Sequence, residues 1–322
     1  MTSSTTLWLI GCGPMAQAYA AVLQAQSVDF LVIGRGTESA KNFEQATGLP
    51  VIAGGVDAAL SKMPPPNAAI LAAGVEQLAP LAQLLISAGC NRLLIEKPGA
   101  LDISCLQELY SVVLFNSAKV WIGYNRRFYA SVQKLHQLLL ADGGITSAAF
   151  EFTEWSHRIC DLQKAPGVKE HWVLANSSHV IDLAFHFVGL PSEGQWMAWH
   201  CGSLDWHPSA ARFHGAGITE RGVPFCYQAD WEAPGRWGVE FLTRLNRYIL
   251  RPMESLQIIP LGSVTPHFIE LDDLLDHRFK PGLFRQCEAF MSCDTKKMSQ
   301  LCSLDEQLKA LPTYYRIAGY TF

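Results

Sequence analysis

The residues of this chain with the plainest chemical use are Gly11, Gly13 and Ala16, spaced G-x-G-x-x-A within LWLIGCGPMAQAYAAVL. Four largely apolar residues (7–10) precede them as a short strand, and an alanine-rich helical pattern follows. In that setting Gly11 turns the chain out of the strand and Gly13 lets the backbone approach a pyrophosphate. Ala16 lets the new helix pack on the strand. Cys12 and Met15 complete the loop, and Pro14 falls near the first helical turn, where its missing N–H costs nothing. The free N–H groups of that turn, with the helix dipole, favour a phosphate. The next apolar run (29–33) ends in Gly34-Arg35-Gly36-Thr37. An unphosphorylated ribose would call for an acid at that tip. Arg35 stands there instead, followed by Thr37, and a guanidinium can hold a 2′-phosphate bidentately. The expected cofactor is therefore NADP rather than NAD.

Two further groups could move charge. Glu96-Lys97-Pro98 follows the fifth apolar run, at the strand end where ligands bind in parallel sheets, and Lys97 there could polarise a reacting oxygen. His179 opens a helical pattern over 178–188, and its ordinary pKa suits transfer of a hydroxyl proton. His179, Asp182 and His186 fall at i, i+3 and i+7, but a metal would want a further ligand, so no metal is expected.

The elements that must position these groups change character along the chain. From 7 to 122, strand runs (7–10, 30–33, 51–52, 68–72, 92–95, 120–122) alternate with helical patterns (39–47, 56–62, 76–88, 103–116). Such alternation predicts a doubly wound parallel sheet of the Rossmann type. After Gly123 comes a helix (130–140), then strand candidates at 146–155, 195–203, 211–219, 225–231, 237–245, 248–251 and 255–259, interrupted by one helix (178–188). Strands in succession predict an α+β domain with a large, mostly antiparallel sheet. The division expected is 1–122 for a nucleotide-binding domain and 123–322, helical tail included, for a substrate-binding and oligomerisation domain.

Bulk composition agrees. At 322 residues, 49% hydrophobic and 17% charged, the chain can bury two cores and does not have the composition of a disordered protein. A formal charge of -4 argues against a nucleic-acid binder. Nine cysteines without a C-x-x-C pair suit reduced thiols. The N-terminal apolar run is too short for a signal peptide or membrane span, so a soluble, cytoplasmic protein is expected.

Taken together, the GCGPMA loop, the EKP triplet, Gly123-Tyr124-Asn125-Arg126-Arg127-Phe128, SSHVIDLAFHF and KPGLFRQCEAFM resemble the glucose–fructose oxidoreductase / inositol dehydrogenase family (Gfo/Idh/MocA) over nearly the whole chain. The resemblance implies hydride transfer between a nicotinamide and a carbinol or carbonyl carbon, usually of a sugar or polyol. It also implies a sheet domain that often dimerises through its open face, hence a homodimer or homotetramer. By the same resemblance Lys97, His179 and Tyr124 are the candidate catalytic residues, and Glu96 joins the cofactor loop. The chain departs from the pattern at Ala175, where the family usually carries an aspartate four residues before the histidine. That departure keeps a second function open: a catalytically silent NADP-binding sensor or partner subunit.

Two expectations concern the second domain. The segment 156–176 is long for a simple connection and holds His157, Arg158, Lys164, Lys169 and His171 against Asp161 and Glu170. With Arg126 and Arg127 it predicts recognition of an acidic or nucleotide-activated sugar, with Asn125, Arg126, Arg158, Lys169, His171 and Asn176 as candidate substrate contacts. The aromatic strand residues Trp196, Trp199, Phe225, Tyr227, Trp231, Trp237 and Phe241 exceed what one covered face needs, which predicts an oligomer across the open face.

Overall fold

The structure, a computed structural model, describes residues 7–321. The chain divides into two compact units. One runs to Asn125 and takes back Arg278–Lys309; the other comprises Arg126–His277 and the end of the chain from Ala310.

In the first unit β1 (Leu7–Ile10), β2 (Phe30–Gly34), β3 (Val51–Ala53), β4 (Ala68–Leu71), β5 (Arg92–Glu96) and β6 (Lys119–Gly123) pair in parallel in the order β6-β5-β4-β1-β2-β3. The connecting helices are α1 (Pro14–Ala25), α2 (Thr37–Thr47), α3 (Gly55–Leu60), α4 (Val75–Ser87) and α5 (Ile103–Phe115). Every residue of β1 and β4 is buried, as a sheet covered on both faces requires. The strand order reverses beside β1, so the crevice outside the carboxyl ends of β1 and β4 is where such a sheet takes a ligand.

The expected division at 122/123 needs correction for the tail. Residues 278–309 belong to the first unit, where Cys302–Ser303 adds an antiparallel edge to β6. In the same unit the helix Leu283–Met291 sets Phe290 edge-on to Trp121, and the Arg92 guanidinium binds the Phe290 and Ser292 carbonyls. Helical pattern alone does not say which core a terminal helix joins; these long-range contacts decide it.

The second unit contains α6 (Ala130–Ala141), β7 (Ser147–Glu151), α7 (Ser156–Ile159), α8 (Ser178–Val188), β8 (Pro191–Cys201), β9 (Arg212–Thr219), β10 (Pro224–Asp230), β11 (Gly238–Leu242), β12 (Asn246–Leu250), β13 (Gln257–Pro260) and β14 (His267–Phe268). The sheet order is β14-β13-β12-β11-β7-β10-β9-β8, antiparallel except for the β7–β10 pair. Along β10, Phe225, Tyr227 and Ala229 are buried while Cys226 and Gln228 are exposed, the alternation of a sheet with one covered face. Phe185 of α8 meets Phe150 and Phe225 edge-on on that face.

The strand aromatics expected to cover an oligomer interface are instead covered by the chain itself, with one exception among those named. Trp196, Phe225, Tyr227, Trp231, Trp237 and Phe241 are all buried within the chain; of the seven aromatics named, only Trp199 is exposed. The other face presents Ala149, His214, Cys226, Gln228, Glu240 and Arg251, a mixed and largely polar set. The segment 156–176 is likewise no open loop: it winds through α7 and several turns into a π-helical stretch, Val173–Ser177, that runs directly into α8.

Candidate functional site

In the first unit the site is built mainly from backbone. Gly11 has φ +118°, and a Cβ there would stand 2.4 Å from the Ala72 carbonyl oxygen, so only glycine lets β1 turn this closely past β4. At Gly13 a Cβ would meet no atom of the described residues within 4 Å. Gly13 is the N-cap of α1, Pro14 fills the first turn, and no side chain caps the helix. A twelve-residue helix thus begins with uncapped N–H groups at a residue that carries no side chain, which fits a pyrophosphate. Cys12 is buried, and burial, with Glu44 nearby, raises its thiol pKa, so it serves the loop as a small apolar residue.

Arg35 is exposed at the tip of β2, its Nη1 3.4 Å from Gln77 Oε1. Thr37 opens α2, whose N-cap Gly36 also lacks a side-chain cap. Arg35 and this second helix terminus fit a ribose phosphate; Glu38, in the first turn of α2, opposes one.

The Glu96-Lys97-Pro98 triplet is clamped at both ends. The Tyr19 hydroxyl donates to Glu96 Oε1 (2.7 Å), with Gln286 Oε1 at 3.2 Å, and Gln307 Nε2 donates to the Pro98 carbonyl (3.2 Å). Burial and the Glu96 charge hold the Tyr19 phenol well above its ordinary pKa, so it remains a donor. Glu96, expected beside the cofactor, spends at least part of its carboxylate on Tyr19, and half-buried Lys97 is positioned by its neighbours. Tyr124 is buried at the end of β6, and the Asn125 amide donates to the Pro281 carbonyl (2.9 Å), tying down the returning tail. Nothing in the sequence marked Tyr19, Gln286 or Gln307 for this work.

The second unit's site is made of side chains. His179 is buried in the first turn of α8, its ring 6.2 Å from that of Trp237. Glu154, which no local sequence pattern marks, lies just beyond β7 with its side chain 2% exposed. Its Oε1 accepts from Ser177 Oγ (2.7 Å) and Asn176 Nδ2 (2.9 Å), and Oε2 faces Arg236 Nη1 at 3.2 Å. Burial raises the carboxyl pKa; Ser177, Arg236 and Asn176 pull it back. A carboxylate is therefore anchored to the turn that delivers His179, on the segment where Ala175 lacks one.

Around it runs a ladder of cations and rings. The Arg158 and Arg236 guanidiniums lie 5.0 and 4.9 Å from the Trp155 ring centre, and Arg236 and Arg126 lie 4.5 and 4.6 Å from that of Trp237. Burial lowers the Arg126 pKa, and the neighbouring Arg236 charge adds to that. The Trp155 indole N–H donates to the Gly235 carbonyl (3.0 Å), and Gly235 lies so close to Glu151 and Thr153 that a Cβ would sit 2.6 Å from Glu151 Oε1. A cavity of about 620 Å³ opens beside Glu154 and Trp155, lined also by Ser156, His157, Trp231 and Gly235.

Other predicted contacts are spent within the unit. Lys169 Nζ donates to the Cys160 carbonyl (2.7 Å), and His171 Nδ1 meets the Gly167 carbonyl (2.9 Å) with its ring against Tyr320. Asn176 supports Glu154. Arg127, expected beside Arg126 in a cleft, instead forms a buried two-pronged pair with Asp182, Nε–Oδ2 2.8 Å and Nη2–Oδ1 2.5 Å. That pair removes Asp182 from any metal set. His186 is half-buried, and desolvation, then the Arg127 charge, holds its pKa well below the ordinary value.

No family model matches the chain, and no curated protein is similar to it in sequence. Solved structures are similar along its whole length. UDP-N-acetylglucosamine 3-dehydrogenase GnnA from Acidithiobacillus ferrooxidans aligns over 98% of this chain and 97% of its own, with TM-score 0.74 and 16% identity. The WlbA dehydrogenase from Chromobacterium violaceum, solved with NADH and UDP-GlcNAcA, gives 98%, 94%, 0.72 and 13%. An oxidoreductase from Agrobacterium radiobacter in complex with NAD+, L-tartaric acid and magnesium gives 99%, 95%, 0.77 and 11%. At such identities the likeness is one of fold: a mostly parallel sheet followed by a large, mostly antiparallel one.

Proposed function

We propose that this protein is a nicotinamide-dependent oxidoreductase acting on a CH–OH or carbonyl carbon of a sugar-like substrate, with NADP preferred. The observation that carries the reading is the first β–α turn: an uncapped helix N-terminus over open backbone at Gly13, followed one strand later by Arg35. Gly11, Cys12, Gly13, Pro14 and Met15 would hold the pyrophosphate, and Arg35 with Thr37 the 2′-phosphate. When bound, the nicotinamide accepts or supplies the hydride. Lys97, with Tyr124, polarises the reacting oxygen, and His179 takes or returns the hydroxyl proton. The solved neighbours support a sugar-like substrate: GnnA is a UDP-N-acetylglucosamine dehydrogenase and WlbA was solved with UDP-GlcNAcA. A homo-oligomer across the open sheet face stays part of the proposal, with exposed Met197 and Trp199 as its apolar contribution.

NAD is the second reading for the cofactor, favoured by Glu38 at the α2 terminus and by the NAD+ and NADH of two neighbours. A silent nucleotide-binding sensor is the second reading for the activity, favoured by Ala175. One set of measurements separates these readings. NADPH and NADH are titrated into wild type and Arg35→Asp, and turnover is screened over a sugar panel with Lys97→Met and His179→Ala. The proposal expects tighter NADPH binding, lost in Arg35→Asp. Both catalytic variants should keep cofactor affinity yet lose turnover about a hundredfold. Equal or tighter NADH binding overturns the NADP assignment, and absence of turnover across the panel with tight cofactor binding favours the sensor.

A further inference from the structure

The Arg158–Trp155–Arg236–Trp237–Arg126 ladder carries more than packing explains. Three guanidiniums share two indoles, and Arg236 also pairs with Glu154. The second carboxylate at the cavity, Glu232, is matched by Arg212 at 2.6 Å and so adds little repulsion. Cation–ring contacts hold a guanidinium plane in place while leaving its edge donors available. Arg236 is placed for this: it lies between two rings, offers five N–H donors of which one meets Glu154, and its side chain is 45% exposed. Trp155 is 40% exposed and lines the cavity of about 620 Å³, whose wall also includes Gly235, the residue before Arg236, and Glu154, its ion-pair partner.

We infer that Arg236 is the anion anchor of the second unit's ligand site. It takes an oxyanion, phosphate or carboxylate, of a sugar-like ligand whose C–H face lies on the Trp155 indole. The inference rests on the oxidoreductase reading only for calling that ligand the substrate. It moves the basic recognition expected of Lys169 and His171, both tied to backbone carbonyls, onto a residue outside the 156–176 segment. Glu154 competes with the ligand for Arg236 while fixing the guanidinium's orientation. Arg126 and Arg158 supply the surrounding positive field.

The test is calorimetric titration of the full chain, with and without saturating NADPH, using glucose 1-phosphate, glucuronate and glucose as probes. The expected result is binding of one or both anionic sugars, at least tenfold tighter than glucose and weakened by added salt. The tighter of the two tells phosphate from carboxylate. Arg236→Met should weaken anion binding tenfold or more, and Arg236→Lys less, since lysine keeps the charge but loses the planar fork. Glu154→Gln should bind the anion as tightly or more tightly, an outcome a purely structural Arg236–Glu154 pair would not give. Arg247→Met, an exposed arginine paired with Glu240 on the sheet, is the control expected to match wild type. Glucose binding as tightly as the acids, or anion binding unchanged in folded Arg236→Met, overturns the anchor. If Arg236→Met does not fold, the lysine and Glu154→Gln variants decide: unchanged affinity in Arg236→Lys together with weakened affinity in Glu154→Gln overturns it. Anion binding without turnover in the sugar screen leaves the anchor standing and sinks the oxidoreductase reading; turnover on neutral sugars alone does the reverse.

Discussion

At the end of β1 the functional groups are peptide N–H groups, fixed because Gly11 turns the chain past Ala72 and Pro14 starts a helix. At the end of β7 they are side chains: Glu154 held by Ser177, Asn176 and Arg236, with Trp155 and Trp237 bracketing the guanidinium. The first arrangement depends on conformation and empty space, so it should break when a Cβ is added. The second depends on satisfied polar partners in a buried setting, so it should break when one partner is taken away. The first sheet is apolar throughout its central strands, whereas the second alternates and carries buried polar pairs beneath it.

The largest effect expected from that difference is on the Arg127–Asp182 pair, both side chains 3% exposed or less. Asp182→Ala leaves a buried guanidinium without its main counter-charge and should cost about 3–5 kcal/mol. The double variant Arg127→Met/Asp182→Leu should recover much of that, because a packed apolar pair avoids desolvation altogether. Urea unfolding of the three proteins measures both. A cost below about 1 kcal/mol for the single change would show that the second unit does not rely on paired polar groups in the way described.

Acid should separate the units next. All ten histidines lie between 136 and 277, inside the second unit. Burial pushes His207 down to about 4, while its ring bonds the Ala210 carbonyl and the Tyr320 hydroxyl; burial also lowers His136 and His186. For a histidine depressed in the fold, the unfolded chain binds a proton first, below about pH 6.5. Stability present above that pH is therefore lost as pH falls towards 4, up to about 3 kcal/mol for a shift of this size. Hydrogen exchange at pH 7.5 and 5 should show protection falling in peptides from 126–277 and holding in those from 7–125. A parallel decline in both would count against it.

The third contrast lies inside the first unit. Gly11→Ala places a Cβ 2.4 Å from a carbonyl oxygen at φ +118° and should destabilise the fold by roughly 1–3 kcal/mol. Gly13→Ala adds its methyl to open space at φ −82° and should melt within a degree or two of wild type while weakening nicotinamide binding about tenfold. Thermal melts with fluorescence titration of the cofactor check both. Unchanged affinity in Gly13→Ala would remove the pyrophosphate from that position.

How much of this was legible follows from range. The G-x-G-x-x-A turn, the alternation of the first six strands and the helix at 178–188 rest on neighbours a few residues apart, so periodicity and turn chemistry reveal them. Glu154 meets residues 22, 23 and 82 positions away, and Arg92 meets Phe290, 198 away. No local pattern announces such pairs. The strand expected over 146–155 ends at Glu151, and the residues it was thought to include, Glu154 and Trp155, carry the candidate site. From sequence Trp237 reads as surplus to one covered face and Arg236 beside it carries no signal, because the sequence does not show which face of a sheet a helix covers. Lys169 and His171 mislead in the opposite direction: loop cations look available until the turn that consumes them is seen.

The smallest effect expected is at Glu154, where charge and hydrogen bonding can be separated. Burial raises this carboxyl's pKa despite Arg236, so its ionised form is held at a cost. A raised acid contributes stability below its unfolded pKa and loses it as pH climbs through the folded value. The wild type is accordingly at its relative worst above that window. Glu154→Gln keeps an oxygen to accept from Ser177 and Asn176 and removes the charge. It should lie within about 1 kcal/mol of wild type. Its standing against wild type should be better at pH 8 than at pH 5. Glu154→Ala strands the Ser177 hydroxyl, the Asn176 amide and one face of Arg236, and should cost about 1–3 kcal/mol at either pH. Melts of the three proteins at the two pH values are enough to read this. If glutamine costs as much as alanine, the negative charge itself holds the turn before His179, and the second unit's site rests on electrostatics more than on satisfied hydrogen bonds.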